Sequence, residues 1–320
     1  MVESQPQAIN ASLRSANHIL VACHMRPDGD AIGSLLGLGL TLQSIGKRVQ
    51  MVSVDSVPPN LRFLAGSEQI ANHAREPFDI FVTVDCSEAQ RVGIRLDDRQ
   101  PDINIDHHIT NEGFAELNLV DTKAVATAEV LARVLPVLGM PLSQPVAEAF
   151  LTGIVTDTLG FRTTNMHPDV LRLAADLMEK GADLPGLYRR SLIQHSFEAI
   201  RYWATGLSRL ERTDHIVWAT FTLADRKVAG YPGRDDADLI NVLSAVDDCD
   251  IAIVFVEQKR NRVKVSWRAQ PGWDVSRLAQ GLGGGGHPAA AGAEIQGSVD
   301  EVCGRVLKET QNLLNQAEIR

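Results

Sequence analysis

Apolar residues follow two rhythms along this chain. In the first half, short and nearly unbroken apolar runs at 18–23 (HILVAC), 49–54, 78–84 (FDIFVTV) and 102–105 (DINI) read as strands, and 31–45, rich in Leu and Gly, reads as a helix. Strands that are apolar at every position are covered on both faces, so the pattern predicts a parallel sheet between helices. From 127 the period becomes helical, over 127–138, 146–158 and 168–180, the last stopped by Gly181. Two further helical stretches, 184–194 and 197–210, read as a connector. Alternating strands are expected beyond them at 215–222, 250–257 and 262–270, with helices at 236–244, 274–280 and 299–314. The predicted class is α/β, with domains at 1–190 and 210–320 joined by a helical linker at 191–209.

Polar residues with chemical potential collect where the apolar runs stop. The first run leads into His24-Met25-Arg26-Pro27-Asp28-Gly29-Asp30, the third ends in Asp85, and the fourth ends in Asp106-His107-His108. In open α/β sheets the ligand crevice lies outside the carboxyl ends of the strands, so all of these groups are expected to project into one crevice. Asp157 lies on a strongly apolar helical stretch, where an unpaired carboxylate is costly to bury. Asp28, Asp30, Asp85, Asp106 and Asp157 stay ionised together only if cations sit among them. Oxygen ligands with a minority of imidazoles suit Mn²⁺ or Mg²⁺, with the histidines favouring Mn²⁺. Two such ions roughly 3.5–4 Å apart activate a water for in-line displacement at phosphorus. Each motif alone has a plainer reading: Asp-Gly is common in turns, an Asp can cap a helix, and His pairs occur by chance. Their order and placement at strand ends favour the metal site.

The 320 residues carry a net charge of −9, 44% apolar content and 22% charged content. Such a chain lacks the broad basic surface that grips long nucleic acid, so long duplexes are not expected as partners. No apolar run is long enough to cross a bilayer, and no membrane partner is expected. Residues 1–10 do not read as a signal peptide, which leaves the cytoplasm as the expected location. Cys23, Cys86, Cys249 and Cys303 form no CxxC, which argues against a disulfide framework or a thiolate zinc site, and Cys23 and Cys86 read as core packing.

In the later half, the segment 262–268 alternates Arg262, Lys264, Ser266 and Arg268 with Val263, Val265 and Trp267, placing the polar residues on one face. Arg268 is the preferred contact to a non-scissile phosphate, since its planar fork suits that role. Gly284, Gly285 and Gly286, with Gly283 before them and His287 after, can bring backbone N–H groups close to an anion as a nest. The alternative is a loop before a Pro-Ala segment. Arg26 either meets a substrate phosphate or pairs with the acidic cluster, and Arg162 is a candidate lining residue.

HMRPDGDAIGS, VTVDCSE, NIDHHITN and TGIVTDTLGF, in that order, resemble the DHH phosphoesterase superfamily, and specifically its branch of oligoribonucleases and pAp phosphatases often called NrnA-like. VKVSWRAQ followed by GGGGHPAAAG is similar to that family's associated C-terminal substrate-binding domain, with a cleft expected between the domains. The resemblance implies that His24, Asp28 and Asp85 hold one divalent cation, and that Asp30, His107, Asp157 and the shared Asp85 hold a second. It implies that Asp106 orients the His pair, that His108 faces the scissile phosphate, and that a metal-bridging hydroxide is the nucleophile. A substrate bridging small domains is short. The resemblance implies single-stranded oligonucleotides of about two to five residues, the 3′-phosphate of pAp, and linear dinucleotides such as pApA. A homodimer is a further expected partner. Competing readings are a RecJ-like single-strand exonuclease, which favours an added binding module and a basic channel, a manganese pyrophosphatase, and a non-catalytic nucleotide sensor.

Overall fold

The computed structural model describes residues 5–75, 77–94 and 99–317. The chain divides into two units, Met1–Gln194 and His195–Arg320.

The first unit opens with helix α1 (Gln5–Ser15), strand β1 (His18–Ala22), helix α2 (Gly29–Ser44) and strand β2 (Arg48–Val52). Strand β3 (Ile80–Val84), the short α3 (Ala89–Val92), β4 (Ile103–Asp106) and β5 (Leu117–Val120) follow. Helices α4 (Thr127–Val137), α5 (Gln144–Asp157), α6 (Pro168–Glu179) and α7 (Leu184–Tyr188), with a π-helical turn Arg189–Ile193, complete it. The five strands form one parallel sheet in the order β2-β1-β3-β4-β5. The expected parallel sheet is therefore present. Its order reverses direction between β1 and β3, the point where open α/β sheets bind ligands. Ile19, Val21 and Cys23 enter the main core with α2, α4 and α5, whereas Leu20 and Ala22 enter a smaller cluster with Phe81 and Cys86. Burial on both faces explains why β1 reads as an unbroken apolar run.

Three helices, α2, α4 and α5, pack closely on one another in the main core. A Cβ at Gly33 of α2 would stand 2.5 Å from the Ala149 carbonyl of α5, and one at Gly153 of α5 would stand 2.6 Å from the Ala128 Cβ of α4. Only glycine permits that approach. The same packing brings the start of α2, the start of α4 and the end of α5 to one place.

The second unit contains α8 (Phe197–Leu207), β6 (Glu211–Thr213), β7 (Ile216–Phe221), α9 (Leu223–Ala229) and α10 (Leu239–Leu243). They are followed by β8 (Ile251–Gln258), β9 (Arg262–Ala269), α11 (Val275–Gly281), β10 (Gly285–His287), β11 (Ala290–Gln296) and α12 (Val299–Ala317). Its mixed sheet runs β10-β11-β9-β8-β7-β6, with only β7 and β8 parallel. The stretch 191–209 splits between the units, for α8 buries Ala199 and Tyr202 in the core of the second. Among the described residues no helix is long and apolar enough to cross a membrane.

Gly33→Ala should lower unfolding stability by about 1–3 kcal/mol, because the added methyl meets backbone that cannot swing aside. Gly304→Ala in α12, where nothing lies within 4 Å, should instead raise it by about 0.4–1 kcal/mol. Urea midpoints of the two variants check the contrast.

Candidate metal centre

Each motif is delivered by the end of an element. Asp28 is the N-cap of α2: its Oδ1 accepts from the amides of Asp30 and Ala31 at 3.1 and 3.0 Å. The helix therefore begins at Gly29, two residues before the apolar pattern, and carries Asp30 in its first turn. His24 and Asp85 follow β1 and β3, Asp106 closes β4, and Asp157 closes α5. Arg26, Asp85, Leu159 and Phe161 adopt φ of +56°, +58°, +48° and +65°. Left-handed backbone in non-glycine residues costs of order 1–3 kcal/mol each and clusters where function fixes the geometry.

The side chains converge. His24 Nε2 stands 3.4 Å from Asp85 Oδ2 and 3.9 Å from Asp28 Oδ1. His107 Nε2 stands 3.9 Å from both Asp30 Oδ2 and Asp85 Oδ1, and 3.6 Å from Asp157 Oδ2. The ligand atoms fall into groups within 4.8 Å: His24 with Asp28 and Asp85; Asp30 with His107 and Asp157; and Asp85 with His107 and His108. Asp30 and Asp85 are buried, while Asp28 and Asp157 reach solvent at 60% and 32% exposure, which leaves the site an opening.

Hydrogen bonds fix which imidazole nitrogen is presented. His24 donates from Nδ1 to the Met25 carbonyl at 2.9 Å, and His107 from Nδ1 to the Ala124 carbonyl at 3.3 Å. A carbonyl only accepts, so Nε2 is left to face the carboxylates, the arrangement found behind most metal-binding histidines. His108 differs, since its Nδ1 donates to Asp106 Oδ1 at 2.7 Å. Asp106 is held in turn by Asn111, whose Nδ2 donates to Oδ2 at 2.6 Å and to the Cys86 carbonyl at 3.1 Å. Asn111 escaped the sequence reading, although it lies within NIDHHITN. So did the α4 amides of Thr127 and Ala128, which donate to Asp30 at 2.6 and 2.9 Å.

Burial and then the Asp85 charge push the Asp30 carboxyl up to about 7. Burial and then Asp30 drive Asp157 well above the usual carboxylate range. Burial also acts on Asp85, but the imidazoles of His24, His108 and His107 outweigh it and hold its carboxyl low. For His24, burial opposes protonation, yet the bond to Asp85 and the nearby acids raise it to about 9. Burial opposes charge on His108 too, and its bond to Asp106 wins. Protons thus do the neutralising that a divalent cation does better. The donor set, rich in carboxylate oxygen with imidazoles in the minority, can bind such an ion.

The remaining candidates lie apart from this cluster in their bonding. The Arg26 amide donates to Asp55, and its guanidinium forms no ion pair among the described residues. Arg162 is exposed and donates to the Leu159 carbonyl at 2.9 Å. Arg268, on β9, donates from Nε to Asn241 Oδ1 and from Nη1 to the Trp267 carbonyl, both at 3.2 Å. Burial lowers its pKa, against the pull of Asp236 and Asp238. Val263, Val265 and Trp267 are buried on the opposite face of the strand.

The glycine run is not an open nest. The amides of Gly283 and Gly284 donate to the carbonyls of Gln280 and Ala279 at 3.0 and 2.8 Å, closing the end of α11. Gly285 and Gly286 lie in β10, ending at the exposed His287 and paired with β11. A Cβ at Gly284 would lie 2.1 Å from the Gly292 carbonyl, so hairpin packing accounts for glycine there.

The sequence matches the profile of the DHH family, N-terminal domain, over residues 18–154 and that of the DHHA1 domain over residues 228–316. It is similar to a bifunctional oligoribonuclease and PAP phosphatase NrnA of Thermus thermophilus, 34% identical over 93% of this chain and 91% of the relative. A protein of the same description from Bacillus subtilis is 26% identical over 94% of this chain and 96% of its own length. The fold is similar to that of a crystallised exopolyphosphatase-related protein from Bacteroides fragilis, with a TM-score of 0.89, 24% identity and 98% of both chains covered.

A cation competes with protons at Asp30 and His24, so apparent Mn²⁺ affinity should fall as pH drops from 9 to 6, through the His24 value of about 9 and the Asp30 value of about 7. Calorimetric titration in buffers of different ionisation enthalpy should register proton release on binding. Affinity independent of pH would count against these groups as ligands.

Proposed function

Because this chain belongs to the DHH family, we propose that it is a two-cation phosphoesterase acting on short single-stranded oligonucleotides and on the 3′-phosphate of pAp. The observation that carries the reading is Asp85, whose two oxygens face two different ligand groups, Oδ2 toward His24 and Oδ1 toward His107. His24, Asp28 and Asp85 would hold one cation; Asp30, His107, Asp157 and the other oxygen of Asp85 would hold the second. When bound, a pair of divalent ions, preferably Mn²⁺ and alternatively Mg²⁺, supplies an acidified water and charge stabilisation at phosphorus.

The protein's own groups supply the rest. Asp106 fixes the ring of His108 and favours its charged form, so that an imidazolium meets the scissile phosphate or the departing oxygen. Met25 and Ala124 hold the ligand histidines in the tautomer that presents Nε2. The names of the Thermus and Bacillus relatives support the substrate class, an oligoribonucleotide or pAp. Linear dinucleotides such as pApA fall within the same chemistry. In the second unit, Arg268 contributes a contact to a non-scissile phosphate. Its Nε and one hydrogen of Nη1 are engaged within the protein, which leaves Nη2 and the second Nη1 hydrogen to offer. His287, Gly285 and Gly286 on β10, with Arg26 and Arg162 in the first unit, are further candidate contacts. The reaction is set in the cytoplasm, in keeping with four free cysteines.

Hydrolysis with Mn²⁺ should be measured on a 5′-labelled dinucleotide, a long single strand, pAp and pyrophosphate. Turnover of the dinucleotide and pAp should far exceed that of the other two. Fast pyrophosphate cleavage without dinucleotide cleavage would sink the proposal. Asp85→Ala should reduce turnover to background, because both ligand groups lose a member. Arg268→Ala should raise KM most for substrates with a distal phosphate. A fall in kcat at constant KM would move Arg268 into the chemistry.

A further inference from the structure

Helix α4 starts with its first residue fully buried against the metal centre. Thr127 has no exposed surface, and Ala126 before it is extended at φ −159° and ψ 152°. Glu129 secures this turn from inside: its Oε2 accepts from the Val125 amide at 2.8 Å, and its Oε1 accepts from Arg133 Nε at 2.9 Å. The turn then reaches two of the carboxylates. Its amides hold Asp30, and the Thr127 hydroxyl donates to Asp85 Oδ1 at 3.0 Å.

We propose that Thr127 is a positioning residue that fixes the plane of the Asp85 carboxylate, so that its two oxygens face the two halves of the metal centre. The torsion that swings an aspartate carboxylate is broad, so packing alone leaves the orientation of its plane loosely set. Asp85 must nonetheless present Oδ2 to His24 at 3.4 Å and Oδ1 to His107 and His108 at 3.9 and 3.6 Å. A donor aimed at Oδ1 alone fixes the carboxylate plane. Threonine suits the task because its branched Cβ makes the first side-chain torsion stiff. As the first residue of the helix, it has no preceding turn whose carbonyl would draw the hydroxyl away. Through one residue, α4 sets Asp30 by its amide and Asp85 by its hydroxyl, tying ligands from α2 and β3 to a single frame.

This inference rests on the two-cation reading. Mn²⁺ binding should be followed by electron paramagnetic resonance and calorimetry on the full chain, for the wild type, Thr127→Val, Thr127→Ala and Thr127→Ser. The wild type should take up two ions. Thr127→Val keeps size and backbone but removes the donor, and should weaken Mn²⁺ binding by about tenfold or more. Its kcat for a dinucleotide should fall in step while KM stays put. Thr127→Ser restores the hydroxyl and should recover most of the affinity. If Thr127→Val does not fold without metal, as judged by circular dichroism, Thr127→Ala provides the same comparison without an added methyl facing Asp85. Full Mn²⁺ affinity in the hydroxyl-free variants would overturn the role of Thr127, as would a Ser variant no better than Val. A wild type that binds no pair of ions would overturn the two-cation reading itself, a distinct result.

Discussion

Asp30, Asp85 and Asp157 meet around one imidazole, His107, whose Nε2 lies within 3.9 Å of each. Three carboxylates at that range repel one another strongly, and the first unit is organised to overcome it. Glycines in α2 and α5 let helices approach closely enough to deliver Asp30 and Asp157. The parallel sheet delivers Asp85 and the His pair from neighbouring strand ends. Amides at the start of α4 share the charge of Asp30, and helix N-termini favour such an anion. The remainder is the electrostatic demand that a divalent ion meets.

Much of this was legible from residue order. β1, β3 and β4 are buried on both faces, so their runs are largely apolar and their ends conspicuous. β5 gives a weaker signal, because LNLV is half-buried at every position rather than enclosed. β6 is three exposed residues, ERT, with no apolar pattern at all. α2 starts two residues ahead of its apolar pattern because periodicity reports packing, whereas the cap at Asp28 reports hydrogen bonding. The ligand residues announced themselves by type. Thr127 and Asn111 did not, since a threonine at a helix start and an asparagine in a loop are ordinary in sequence. Their importance comes from what lies across from them in space.

The second unit shows the opposite balance. The alternation in β9 survives intact, but the glycine run becomes a helix end and an edge strand. β11, with the sequence AAGAEIQ, has only one β-branched residue among small ones, a composition that gives little strand signal. Its pairing with β9 across seven residues is a property of the assembled sheet. Arg268 likewise has its surroundings set from a distance, by Asn241 and by Asp236 and Asp238, which sequence spacing does not reveal.

The left-handed backbone at Asp85 has a consequence for how this chain can drift over generations. Asparagine and glycine tolerate that conformation better than most residues. Both would also relieve the crowding of charge. A substitution by either residue therefore suits the backbone while removing a carboxylate that both ligand groups need, the trade that active sites impose on their scaffolds.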